Sequence, residues 1–517
     1  MARDLSRVCR FLVRVSLALL GALVVSPVAA QSAKPPRRPN VVFILADDLG
    51  WRDTSLYGST FCETPNIDRL ARRGMVFTQA YAANPLCSPT RASIMTGLYP
   101  ARIGITAPVC HVPQEVLKET LQPKAPPHQK ALACVSATRL SQDYFTLAEA
   151  LKAAGYATGH FGKWHLGREP YDPLHQGFDV DVPHWPGPGP AGSYLAPWKF
   201  PDFQGRPGEH IEDRMAGEAT GFLEANKDRP FFLNYWCFSV HSPWGAKPDL
   251  IEKYRAKARP DSPQRNPVYG AMVQSLDENV GRLVQTLDRL GLAQNTIVVF
   301  FSDNGGVHFA DVEGAPVTSN APLRGGKATI YEGGTREPCI VIWPGVTKPG
   351  SRSDALISSI DFYPTLLEMT GLAPRPSQQL DGISIVPALR GKPLARDTVF
   401  CHFPHYIPAT GNRPATCVRQ GDWKLIRFHA DNDDQTDRFE LYNLKADLSE
   451  IKNLAGAMPD KVKELNALIT EHLQQITAVV PVANPAYRPG APEPPAKPKA
   501  KPKAKPNTTP KAKGKRP

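Results

Sequence analysis

Beyond its first thirty residues the chain has no apolar run long enough to cross a bilayer, no CxxC pair and no internal repeat. The first absence leaves the body of the chain without a membrane span. The second removes the common zinc frameworks, and the third removes solenoid and propeller arrays. Charge imbalance is also missing where it would count. The formal charge is +12, but residues 1–30 hold +3 of it and residues 491–517 hold +8, which leaves +1 on the body. Net charge therefore gives no reason to expect a nucleic-acid partner. An apolar content of 42% over 517 residues suits one large domain or two unequal ones.

The N-terminus has its own grammar. Arg3, Arg7, Arg10 and Arg14 precede the apolar run 15–25, and Val28-Ala29-Ala30 offers small residues before Gln31. This pattern predicts a signal peptide over 1–30, with no arginine pair in it, and an exported protein, periplasmic or secreted. Residues 31–39 read as a linker. Apolar runs then alternate with amphipathic segments: strands at 41–46, 157–161, 230–240, 296–302 and 339–343, helices at 67–73, 147–154 and 276–290. That alternation predicts an α/β body, a central sheet flanked by helices, over 40–395. Residues 105–143 and the Pro-, Gly- and Trp-rich stretch 182–210 read as insertions. From 396 to 480 the texture changes to short antiparallel strands and one helix at 459–476, a smaller α+β domain. Residues 481–517 are rich in Pro, Ala and Lys and are expected to be disordered. Export permits disulfides. Cys110 with Cys134 and Cys401 with Cys417 are candidate pairs, while Cys237 and Cys339 lie in apolar runs and read as buried thiols.

Chemistry concentrates in a few places. Asp47-Asp48 and Asp303-Asn304 each follow an apolar run directly. Ligands of open α/β sheets gather at the carboxyl ends of strands, so parallel neighbouring strands would bring four oxygen donors together. Three carboxylates and an amide suit a hard cation, calcium or magnesium. Cys87-Ser88-Pro89-Thr90-Arg91 opens a segment that can form a helix ended by Gly97. The free N–H groups of its first turn would lie beside Cys87, and Arg91 on the same face. Lys163 and His165 lie two apart after the strand at 157–161, so an extended segment would point both one way. His241 ends the run 230–240. In Leu323-Arg324-Gly325-Gly326-Lys327, glycines would let backbone approach an anion closely and Lys327 would add a charge. The loop 182–207 carries Trp185, Tyr194 and Trp198, which either stack on sugar rings or pack on the body.

Taken together, the opening Asp pair, C-x-P-x-R, GKWHLG, the histidine after the third strand, SDNGG and LRGGK…EGGTREP resemble the type I sulfatases of the alkaline-phosphatase-like superfamily, over about residues 38–456. Gly421-Asp422-Trp423-Lys424-Leu425 and Glu440-Leu441-Tyr442-Asn443-Leu444 extend the likeness. The resemblance implies a large mixed, mostly parallel sheet and hydrolysis of sulfate esters, on sulfated carbohydrate and also on aryl sulfates. It implies that Cys87 is converted to formylglycine by a formylglycine-generating enzyme and that its hydrate attacks sulfur. It also implies Asp47, Asp48, Asp303, Asn304 and residue 87 as ligands of Ca2+ or Mg2+. Arg91, Lys163, His165, His241 and Lys327 would surround the sulfate. His165 would take a proton in the second step, and His241 or Lys327 would protonate the leaving alcohol. His308, His402 and His405 are implied as substrate-binding residues. Two other readings share these residues: a phosphate or phosphonate ester hydrolase on the same scaffold, and a non-catalytic binder of anionic glycans should Cys87 stay a thiol.

Overall fold

The computed structural model describes residues 38–493. Nine strands form the main sheet: β1 (Asn40–Ala46), β2 (Met75–Tyr81), β3 (Ala157–Gly162), β4 (Val180–Val182), β5 (Phe231–Trp236), β6 (Thr296–Ser302), β7 (Arg336–Ile342), β8 (Ser351–Ser353) and β9 (Ile357–Ser358). Their order is β8-β2-β7-β6-β1-β5-β3-β4, with β9 also paired to β2. Only β7 runs against its neighbours, so the sheet is mixed and mostly parallel, as the sequence predicts.

β1 shows why the strands form. All seven of its residues are buried, and the period-two alternation of a strand sends them to opposite faces. Val42, Ile44 and Ala46 enter one core; Val41, Phe43 and Leu45 enter the other. Helices α1 (Pro65–Arg73), α4 (Ile211–Ala225), α5 (Pro248–Lys257) and α6 (Pro267–Arg289) pack on the first side, and α2 (Cys87–Thr96), α3 (Leu147–Ala153) and α7 (Phe362–Met369) on the second. α2 ends where the sequence predicts, at Gly97. This residue takes a left-handed φ of 72° and donates its N–H to the Ser93 carbonyl at 2.9 Å, a cap that glycine forms at least cost.

The second sheet is antiparallel: β10 (Thr398–Phe403), β11 (Ala415–Gln420), β12 (Trp423–Phe428) and β13 (Arg438–Asn443). One face takes α8 (Pro459–Gln475) through Leu465, Ile469 and Leu473. The other packs on Leu86, Ala328 and Ile330, so it backs both the start of α2 and the loop that carries Lys327.

Two expectations are corrected. Residues 481–493 do not continue a structureless tail: Val482 and Ala483 pair with Leu132 and Ala131. Asn484 donates its amide to the carbonyls of Pro126 and Gln129. A proline-rich segment cannot build a core, but it can add to an existing edge when one side chain anchors it. Among the described residues all eight cysteines are free. Cys401 and Cys417 do face each other across β10 and β11, whereas the Cys134 thiol meets the Val479 carbonyl at 3.1 Å. The signal peptide at 1–30, most of the linker and the basic end of the chain lie outside the described residues.

Candidate active site

The parallel pairing of β1 with β6 sets Ala46 opposite Ser302 and so brings the two oxygen-bearing pairs side by side. The Asp303 N–H donates to Ala46 O at 3.1 Å, and the Asp48 N–H to Asp303 Oδ1 at 3.2 Å. Asn304 Nδ2 donates to Asp48 Oδ1 at 2.8 Å. Behind Asp47, the turn after β5 is tied to its backbone by Asp47 N to Ser239 O and Val240 N to Asp47 O. That turn delivers His241.

Cys87, 1% exposed, opens α2 with its Sγ 3.5 Å from Asp47 Oδ1 and 3.9 Å from Asp48 Oδ1. Arg91, one helical turn on, holds Asp303 Oδ2 through Nε at 2.9 Å and Nη2 at 2.8 Å. Its Nη1 donates to the Lys163 carbonyl at 2.5 Å. Lys163 Nζ meets Asp47 Oδ2 at 2.6 Å. Lys327 Nζ meets Asp48 Oδ1 at 2.6 Å and lies 3.6 Å from Cys87 Sγ. Four elements and two loops therefore converge on one buried point, and every metal- or sulfate-site residue predicted from the sequence is among them or next to them.

Lys163 and His165 reach the site by a different path from the one expected. The segment is not extended through His165, which sits at φ 57°. Trp164 turns away to stack on Trp236. The doublet glycines also do something other than cradle an anion. A Cβ on Gly305 would lie 1.8 Å from Gly333 O, one on Gly326 2.3 Å from Gly306 O, and one on Gly334 2.0 Å from Thr329 O. SDNGG, LRGGK and EGGT interlock backbone to backbone, and this fixes the loop bearing Lys327. Replacing Gly305 by alanine is expected to destabilise the fold by about 2–3 kcal/mol through overpacking, read as a lower denaturant midpoint.

Charge balance shows what the site wants. Burial and the Asp303 carboxylate push Asp47 up to about 8. Burial would raise Asp48 too, but Lys327 pulls it below the usual carboxylate range. The ring of His241 donates Nδ1–H to Ser242 O at 2.5 Å. Its Nε2 lies 3.8 Å from the Asp48 carboxylate. One ligand atom each from Asp47, Asp48, Cys87 and His241 lies within 4.8 Å of the others, and the buried Asn304 Oδ1 has no partner. An orphaned amide oxygen beside crowded carboxylates fits a hard cation. His241, which the sequence analysis assigns to the sulfate, also borders this ligand group.

The histidines assigned to substrate are more dispersed. His402 is buried with both ring nitrogens occupied, by Thr416 Oγ1 and Val479 O, so it is engaged within the fold. His405 Nε2 bonds Thr106 Oγ1 at 2.9 Å. His308 lies beside Gly326 with Nδ1 buried and unpartnered. Of the loop aromatics, Tyr194 and Trp198 are buried in the core, and Tyr194 OH binds the carbonyls of Phe238 and His241. They pack on the body and hold the His241 turn instead of offering a sugar platform. One residue escaped the sequence analysis: His111, whose Nδ1 lies 2.9 Å from His165 Nε2. It sits in the aperiodic stretch 105–143, where no spacing rule marks it.

The family model described as Sulfatase matches residues 39–372. One described as N-sulphoglucosamine sulphohydrolase, C-terminal, matches residues 326–479. A Sulfatase of Formosa agariphila is 33% identical, over 87% of this chain and 90% of that protein. The N-acetylgalactosamine-6-sulfatase of Canis lupus familiaris is 34% identical, over 73% of this chain and 71% of its own length. The crystal structure of Ps i-CgsB in complex with k-i-k-neocarrahexaose matches with a TM-score of 0.69 at 26% identity, covering 84% of this chain and 93% of that one.

Proposed function

The chain belongs to the sulfatase family and is a sulfuric ester hydrolase, and from that premise we propose that it removes sulfate from carbohydrate esters at the site around Cys87. The convergence of Arg91, Lys163 and Lys327 on a buried residue at a helix start carries this reading, because three fixed cations and free N–H groups are what a sulfuryl group needs. The N-acetylgalactosamine-6-sulfatase among its relatives favours a 6-sulfated N-acetylgalactosamine unit.

Asp47, Asp48, Asp303 and Asn304 Oδ1 would hold a hard divalent cation, Ca2+ or Mg2+, and such an ion supplies Lewis acidity at the sulfuryl oxygens. Burial pushes the Cys87 thiol up to about 12, so at neutral pH it is a poor nucleophile. This favours conversion of Cys87 to formylglycine by a separate maturation enzyme, which would supply a hydroxyl nucleophile there. The remaining roles fall to the chain's own side chains. Arg91, fixed by Asp303, orients residue 87. Lys163 and Lys327 offset charge on the sulfuryl oxygens. Burial and the two lysines hold His241 well below its ordinary range. The Asp48 carboxylate overcomes burial to raise Lys327, so Lys327 is the group that carries a proton to the leaving oxygen at neutral pH. His165, its Nδ1 unpartnered, is placed to accept one.

The signal peptide read at 1–30 makes export the expected location. Among the described residues no helix is long and apolar enough to cross a membrane. Purified from its host, the protein should hydrolyse an aryl sulfate in clear preference to an aryl phosphate and release sulfate from 6-sulfated N-acetylgalactosamine. Mass spectrometry should find an aldehyde in the peptide that carries residue 87. An intact thiol there, or a preference for phosphate, would count against the proposal.

A further inference from the structure

The GDWKL and ELYNL stretches of the small domain have no part in the chemistry described above, yet both close on the loop that carries Lys327. Lys424, the lysine of GDWKL, is buried on β12. Its Nζ meets Glu332 Oε1 and Glu450 Oε1, both at 2.9 Å. From ELYNL, Tyr442 OH accepts from Arg324 Nη1 at 3.0 Å and donates to Glu440 Oε2 at 2.8 Å. Tyr331 OH donates to the same oxygen at 3.0 Å, and the Arg324 guanidinium lies 3.7 Å from the centre of the Tyr331 ring.

Glu450, just past β13, is where these contacts meet. Its carbonyl accepts from Arg324 Nη1 at 2.9 Å, and its Oε2 accepts from the Glu332 N–H at 2.7 Å. One residue thus holds both ends of the loop 324–332, and Lys327 lies between them. The Gly333 N–H donates to the Arg324 carbonyl at 2.9 Å and completes the ring. A lysine is a point charge on a flexible stem, so its ammonium keeps one place only if its backbone is fixed; here Lys327 Nζ is 2.6 Å from Asp48 Oδ1. Glu450 is fully buried and has a left-handed φ of 51°, a conformation unfavourable for any residue with a Cβ. Strain of this kind persists where the surroundings over-determine it, and here the surroundings are Arg324, Glu332 and Lys424.

We propose that Glu450, held by Lys424, is a positioning residue that closes the 324–332 loop and so sets Lys327 beside Cys87. The inference rests on the sulfatase reading for its catalytic meaning, not for the clamp. Glu450→Gly is the sharpest variant. Glycine accepts the left-handed backbone, residue 450 keeps its carbonyl for Arg324, and Lys424 keeps Glu332 as its counter-ion, so no charge is left bare. Only the hold on the Glu332 N–H is lost. With an aryl sulfate, kcat/KM should fall about 10-fold, the scale of a small misplacement far from the chemistry, while the melting temperature stays within about 5 °C. In a Lys327→Ala background the same change should cost less than about 3-fold, because two residues that act as one unit are not additive. Native-state trypsin cleavage after Arg324 and Lys327 should be at least about 10-fold faster in Glu450→Gly than in the wild type, as expected of a loop released at one end. Unchanged kcat/KM overturns the proposal, as does an equal loss in the Lys327→Ala background, which would route the effect elsewhere. A Glu450→Gly protein that does not fold also overturns it, by making Glu450 a structural residue. Lack of wild-type turnover would count against the sulfatase reading instead; the cleavage rates would still decide the clamp, and equal rates would sink it.

Discussion

Cys87→Ala should abolish sulfate-ester turnover, a loss on the order of 10⁵-fold of the kind seen when a nucleophile is deleted. The thermal unfolding midpoint should barely move. The residue is buried, but its contacts are polar ones, with Asp47, Asp48 and Lys327, and the cavity left by one sulfur is small. Stability and activity should therefore separate cleanly, which identifies a chemical and not a structural loss. Retention of a tenth of the wild-type kcat/KM would show that the work is done elsewhere. The comparison is sharpest in protein whose residue 87 has been characterised by mass spectrometry, since the variant removes both the thiol and anything made from it.

Asp48→Asn should be the second most damaging change. Asp48 gathers more of the site than any other carboxylate: Lys327 at 2.6 Å, Asn304 at 2.8 Å and His241 at 3.8 Å all meet it. Outer partners of metal ligands are typically worth about 10–100-fold, so loss of a direct ligand should cost more than about 100-fold in kcat/KM. The same change gives a binding signature. Wild-type protein freed of divalent ions should gain about 2.7 kcal/mol of stability from Ca2+ at 100 times its dissociation constant, seen as a raised melting temperature. Asp48→Asn should lose most of that response. A melting temperature indifferent to Ca2+ and Mg2+ in the wild type would remove the cation from the mechanism.

Much of this is legible in the sequence. Buried strands announce themselves as apolar runs, and polar pairs at their ends mark the reactive edge of the sheet; hence Asp47, Asp48, Asp303 and Asn304 could be read together. α2 was legible from Cys87 to Gly97 because its stop signal is local. What stayed hidden depends on contacts between distant segments. His111 meets His165 across 54 residues, and no periodicity surrounds it. Tyr194 and Trp198 could stack or pack equally well by composition, and only the core decides. The glycines of LRGGK look open to a ligand in the sequence, which cannot show that the space at Gly326 is taken by the Gly306 carbonyl and that at Gly325 by Thr329. Segment 481–493 was misjudged for a similar reason: its partner edge lies about 350 residues away, at 126–132.

The interlocked glycine loops carry a dynamic consequence. Gly305 donates to Gly334 O, Lys327 to Gly306 O and Gly333 to Arg324 O, so none of the three loops can swing out without breaking the others' bonds. Local opening in proteins proceeds by cooperative units, and here one unit contains Asp303 and Lys327, whose Nζ lies 3.6 Å from Cys87 Sγ. These loops should therefore open together as a single latch, so that a substrate too large for the closed site gains little from movement of one loop alone.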